Sequence, residues 1–169
     1  IAAGLADDCN GNGVPDPCEY AGISTEGETG PFGDEHPLVV TIADAGHAVS
    51  DLRLSIAVRA DLDAINEAVQ AKVGDTVVTT LWITSGQACP EQPQVQTVVV
   101  PMGTVNAAID GSGGDLVVRV QSVGPVSVKE CPDSFAFVAI DYVGDLAPAD
   151  CLGNGTWDGC DIAADPSLD

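Results

Sequence analysis

The chain has 169 residues, the length of one domain with appendages, and its 26 Asp and Glu against five Lys and Arg give a formal charge of −21. Contacts to phosphates need clustered cations, so this balance excludes nucleic-acid binding and docking on anionic lipid. Hydrophobic residues at 45% are too many for general disorder, while acids crowded at the ends and in loops repel one another unless cations neutralise them. No apolar run is long enough to insert into a membrane. With neither an initiator Met nor a signal peptide, the chain reads as a processed or excised piece.

Residues 1–19 form a linker and a loop whose core is Asp8–Glu19, D-C-N-G-N-G-V-P-D-P-C-E. Side-chain oxygens fall at loop positions 1, 3, 5, 9 and 12 (Asp8, Asn10, Asn12, Asp16 and Glu19), with Gly13 at position 6, the register of an EF-hand-type calcium loop. A hard cation of this size takes six to eight oxygens, and the glycine permits the sharp turn that brings alternate residues around it. Val14 would add its carbonyl, and Glu19 could close the site with both carboxylate oxygens.

Residues 20–36, rich in Gly, Glu and Thr, are expected as an extended connector. From 37 to 149 short apolar runs alternate with Gly, Pro and Asp. Strands are expected at Pro37–Ile42, Leu52–Val58, Thr76–Thr84, Val95–Val100, Leu116–Val123 and Phe135–Tyr142. Leu52, Leu54, Ile56 and Val58 alternate with polar or small residues, the signature of a half-buried strand. Leu62, Ile65, Val69 and Val73 instead fall at helical spacing ahead of Gly74, which predicts a short amphipathic helix over Asp61–Val73. Asp110-Gly-Ser-Gly-Gly reads as a turn. The fold class is therefore mainly β: an antiparallel, jelly-roll-like β-sandwich with one short helix, flanked by EF-hand-type calcium loops.

Residues 150–169 carry a weaker copy of the first loop, D-C-L-G-N-G-T-W-D-G-C-D. Asp150, Asn154, Gly155, Asp158 and Asp161 keep positions 1, 5, 6, 9 and 12, and Thr156 supplies the position-7 carbonyl. Leu152 at position 3 has no side-chain oxygen, so this loop should bind calcium more weakly or recruit a water. Both loops carry cysteines at positions 2 and 11, Cys9 with Cys18 and Cys151 with Cys160. The repeated spacing argues for a local disulfide in each, although six cysteines allow fifteen pairings. Zinc is disfavoured by the long spacing and by the hard oxygen ligands. Cys89 and Cys131, each before a proline, remain as the natural third pair. Three disulfides indicate an oxidising compartment: secreted, periplasmic or cell-surface.

The loop D-C-N-G-N-G-V-P-D-P-C-E resembles the calcium repeats of dockerin-like and thrombospondin type 3-like segments of large secreted bacterial proteins. The resemblance covers the two ends only, and the linkers here are shorter than the helix that follows each dockerin loop. It implies calcium as the bound ion and a place in a tandem array. Ile1, Ala2, Ala3 and Asp8 recur as Ile162, Ala163, Ala164 and Asp169 at the same separations, which suits one period of such an array, or a head-to-tail assembly with copies of itself.

Little else in the sequence announces chemistry. His36 and His47 read as surface residues, and Asp110, Asp115, Asp133 and Asp141 are acids of turns and strand ends with no spacing that pairs them for catalysis. Trp82 reads as core, with a sugar platform as the alternative. Asn154-Gly-Thr156 is a formal glycosylation sequon. The expectation is a non-enzymatic extracellular module, stiffened by calcium and disulfides and joined end to end into a fibre or tandem-repeat surface protein. The alternative is a carbohydrate- or protein-binding module of a secreted multidomain protein, with glycans as partners.

Overall fold

The alternation across Leu52–Val58 becomes the centre of the protein, since Leu52, Leu54, Ile56 and Val58 are all fully buried. The computed structural model describes residues 20–33 and 36–145. Their elements, in chain order, are β1 (Tyr20–Thr29), β2 (Leu38–Ile42), β3 (Leu52–Arg59), β4 (Ala68–Val73), β5 (Thr76–Leu81), β6 (Gln94–Val100), α1 (Met102–Ser112), β7 (Leu116–Val123) and β8 (Phe135–Asp145). Four strands form one sheet in the order β1-β8-β3-β6, and four form the other in the order β2-β7-β4-β5. Every sequential step except β4–β5 leaves the neighbouring strand, which is the double Greek key of a jelly roll. The expected mainly-β sandwich is thus the observed architecture, while the calcium loops expected to flank it lie outside the described residues.

One face of each sheet points inward. Val69, Ala71 and Val73 of β4, Leu116, Val118 and Val120 of β7, and Ala136, Val138 and Ile140 of β8 meet the β3 row in a single core. Each fully buried Val, Leu or Ile contributes about 1.5–3 kcal/mol, so the inner rows supply most of the stability. Trp82 joins this core as expected, 8% exposed. Tyr142 packs at its edge, where burial raises the pKa of its phenol and its hydroxyl lies 3.5 Å from the Gly46 carbonyl.

Two expectations are corrected. Asp61–Val73 is not a helix. Residues 64–67 make a turn in which the Glu67 N–H donates to the Ala64 carbonyl at 3.0 Å, and strand β4 follows immediately. Ile65 is 91% exposed, so the helical spacing of apolar residues was fortuitous; Val69, Ala71 and Val73 alternate inward, as a strand requires. The helix lies instead at Met102–Ser112, burying Val105 and Ile109 one turn apart. Its N-terminal N–H of Met102 donates to the Asp51 carboxylate at 3.0 Å, a cap supplied from 51 residues away. Gly113, in the left-handed conformation with φ 78°, ends it.

Residues 20–29 likewise do not serve as a connector. They are β1, hydrogen-bonded to β8 at the sheet edge, and the compact unit begins at Gly22 and runs to Gly144. Ser24 Oγ donates to Asp141 across that edge at 2.7 Å.

Candidate metal centre

The strand registers place loops at two ends. Arg59 pairs with Phe135, Val58 with Gln94, Ala68 with Val123 and Val69 with Leu81, so the β3–β4, β5–β6 and β7–β8 connections emerge together. At this end the backbone is tied across loops. Asp61 and Ala88 form an antiparallel bridge, the Cys89 N–H donates to the Ala60 carbonyl at 3.0 Å, and the Leu62 N–H donates to the Gln87 carbonyl at 3.3 Å. Cys89 is joined to Cys131 with 5.6 Å between Cα atoms, so the inferred third disulfide is present and clamps the β5–β6 loop to the β7–β8 loop.

Into this welded end project Asp61, Asp63 and Glu67. One carboxylate oxygen of each lies within 4.8 Å of the others. Asp61 is 5% exposed and Glu67 4%, an uncommon degree of burial for acids. Glu67 Oε2 also accepts the Ala64 N–H at 2.9 Å, which folds the side chain back over the turn and fixes its direction. Glu130, from the β7–β8 loop, approaches the same point. A side-chain hydrogen bond to Asp61, then the charge of Asp61, raise the Glu130 carboxyl above the ordinary glutamate range, with Asp63 and Glu67 adding to the effect.

Like charges at about 4 Å repel by on the order of 1–4 kcal/mol per pair near a protein surface. A divalent cation would relieve that repulsion. Carboxylate oxygens are hard ligands, suited to calcium or magnesium rather than to zinc or copper. Three or four carboxylates on irregular loops, with waters completing the shell, match the larger and less regular coordination of calcium better than the strict octahedron of magnesium.

The site is built from residues other than those the sequence marks as calcium ligands. Asp8, Asn10, Asn12, Val14, Asp16, Glu19, Asp150, Asn154, Thr156, Asp158 and Asp161 all lie outside the described residues. The Asp61-x-Asp63-x-x-x-Glu67 spacing falls inside the segment expected as a helix, and Glu130, 63 residues beyond Glu67, carries no local signal.

The other acids disperse. Asp110 accepts a hydrogen bond from the ring of His47 at 2.8 Å on the surface, Asp115 accepts the Asp44 N–H at 3.2 Å, and Asp141 accepts from Ser24.

No family model and no curated protein matches the chain. Among solved structures it is similar to dimeric latent PorU of Porphyromonas gingivalis, at 10% identity and a TM-score of 0.48; the match covers 76% of this chain and only 13% of that one. It is also similar to the CBM36-1 domain of a multidomain xylanase from the hindgut metagenome of Trinervitermes trinervoides, at 12% identity and a TM-score of 0.36, over 75% of this chain and 97% of that one. At these scores neither neighbour's ligand or activity carries over to this protein.

Proposed function

We propose that the protein is a non-catalytic, calcium-braced binding module of a secreted multidomain protein. The observation that carries the reading is the convergence of Asp61, Asp63 and Glu67, two of them buried, at an end of the jelly roll stapled by Cys89–Cys131. Calcium held there would neutralise the cluster and fix the β3–β4 loop. The disulfide supports an oxidising, extracellular setting, and among the described residues no helix is long and apolar enough to cross a membrane.

The test is calcium titration of the full chain by calorimetry, paired with thermal melts in calcium and in chelator. The double variant Asp61→Asn/Glu67→Gln should lose one calcium equivalent and lose that site's share of the stabilisation. Unchanged stoichiometry and an unchanged calcium response in the variant would overturn the assignment.

A second reading concerns the ends. The recurring octet, Ile1–Asp8 and Ile162–Asp169, favours calcium-loop junctions between successive units. Sedimentation in calcium and in chelator tests it. Calcium-dependent growth of the particle, lost on Asp8→Ala/Glu19→Ala, supports end-to-end linkage, and a monomer in both conditions removes it.

A further inference from the structure

At the opposite end of the sandwich we infer a second site, a groove that binds a carboxylate carried on a polyhydroxylated ligand, the chemistry of a uronic-acid sugar. The inference deepens the binding-module reading by naming a ligand class, and rests on it, yet shares no residue with the calcium cluster.

The groove has a volume of about 490 Å³ and lies where the β4–β5 turn and the outward face of β7 meet the C-terminal half of α1. Gly74 makes that meeting possible. Its φ is 57°, and a Cβ there would stand 2.9 Å from the Ala108 methyl. The groove is lined by Lys72 and Arg119, with Gln121, Thr76, Asp75 and Ser112 around them.

The two cations carry the argument. The sequence holds only five Lys and Arg, and two of them sit directly opposite each other on neighbouring strands, Lys72 on β4 against Arg119 on β7. Like charges in directly opposed positions destabilise a sheet. With 26 acids available, each cation has an abundance of partners, yet among the described residues neither Lys72 nor Arg119 makes an ion pair or a side-chain hydrogen bond. Both are half-buried, which adds a desolvation cost to the repulsion. An anion between them removes both penalties. A carboxylate suits the planar fork of the guanidinium, with the ammonium as a second point of charge.

The remaining groups distinguish a sugar acid from a bare anion. Asp75 can accept hydrogen bonds from the hydroxyls of such a ligand. Gln121 is held by its own hydrogen bond to Gln70 (Nε2 to Oε1, 3.2 Å) and keeps its carbonyl available to a ligand hydroxyl. The volume accommodates a ligand of a few sugar units, at the small end of ordinary binding pockets.

The experiment follows backbone amide NMR shifts of the full chain on titration with sodium glucuronate, with glucose and acetate as comparators, in calcium and again in chelator. Glucuronate should saturate, with shifts centred on Gly74, Thr76 and Gln121, and should bind about tenfold or more tightly than either comparator. Arg119→Gln and Lys72→Met should each weaken glucuronate by about tenfold, and added NaCl should weaken it in the unaltered chain, a result that needs no variant. Binding that persists in chelator separates this site from the calcium centre: each can fail while the other stands. No shift at about 10 mM glucuronate overturns the proposal. So does equal binding of glucose or acetate, shifts centred elsewhere, or folded variants that bind like the unaltered chain.

Discussion

The two ends of the jelly roll hold charge in opposite ways. At one end Asp61, Asp63, Glu67 and Glu130 crowd together; at the other, Lys72 and Arg119 face each other across two strands. The two proposals supply counter-charge from solution: a cation at the acidic end, an anion at the basic one. The acidic end is also the covalently reinforced one, through Cys89–Cys131, whereas the basic end is shaped by a turn and a helix. On these two proposals, one end would hold a small ion and the other a larger ligand.

That contrast can be broken most severely at the staple. Replacing Cys89 and Cys131 together by Ser should lower stability by about 2–4 kcal/mol and weaken calcium binding, because the loops carrying Asp61 and Glu130 lose their common anchor. Denaturant unfolding with and without calcium measures both effects, and glucuronate binding at the far end should be unchanged. Next in size is the ion itself. Calcium at about a hundred times its dissociation constant should add about 2.7 kcal/mol, on the order of 10 °C in melting temperature. Asp61→Asn/Glu67→Gln should remove that response while raising the melting temperature in chelator, since repulsion has been relieved.

At the basic end Gly74→Ala should cost about 1–2 kcal/mol, from its positive φ and the approach of Ala108, and should narrow the groove. An unchanged melting temperature would mean that the turn relaxes freely away from α1. The smallest effect is that of pH on Glu130. Its folded pKa is raised by Asp61, so its contribution to stability is full below the unfolded value and is lost as pH rises through the folded one. In chelator, stability should therefore decline slightly across the range just above ordinary glutamate titration. Glu130→Gln should flatten that decline, and a decline unaffected by the substitution would place its origin elsewhere.

What could be seen in the sequence divides along the same physical lines. Where a strand has one buried and one exposed face, alternation is local and legible: β3 and β7 were found almost to the residue, and β2, β6 and β8 nearly so. β1 was missed because its Gly, Glu and Thr lie along a sheet edge with half-exposed side chains, which leaves no apolar rhythm. β4 was mistaken for a helix because Leu62 and Ile65, which belong to the preceding loop, extended its apolar residues into a false period. α1 went unseen since its cap comes from Asp51 and only Val105 and Ile109 mark its buried face. Both sites share this dependence on tertiary placement. Glu130 reaches Asp61, and Arg119 reaches Lys72, through strand order alone.

The most direct measurement is an anomalous-scattering map from crystals of the full chain grown in a calcium analogue such as manganese. The account predicts a peak at the β3–β4 loop, about 2–2.6 Å from carboxylate oxygens of Asp61, Asp63 and Glu67. A well-ordered map in which those three side chains turn apart, with no peak between them, would contradict it.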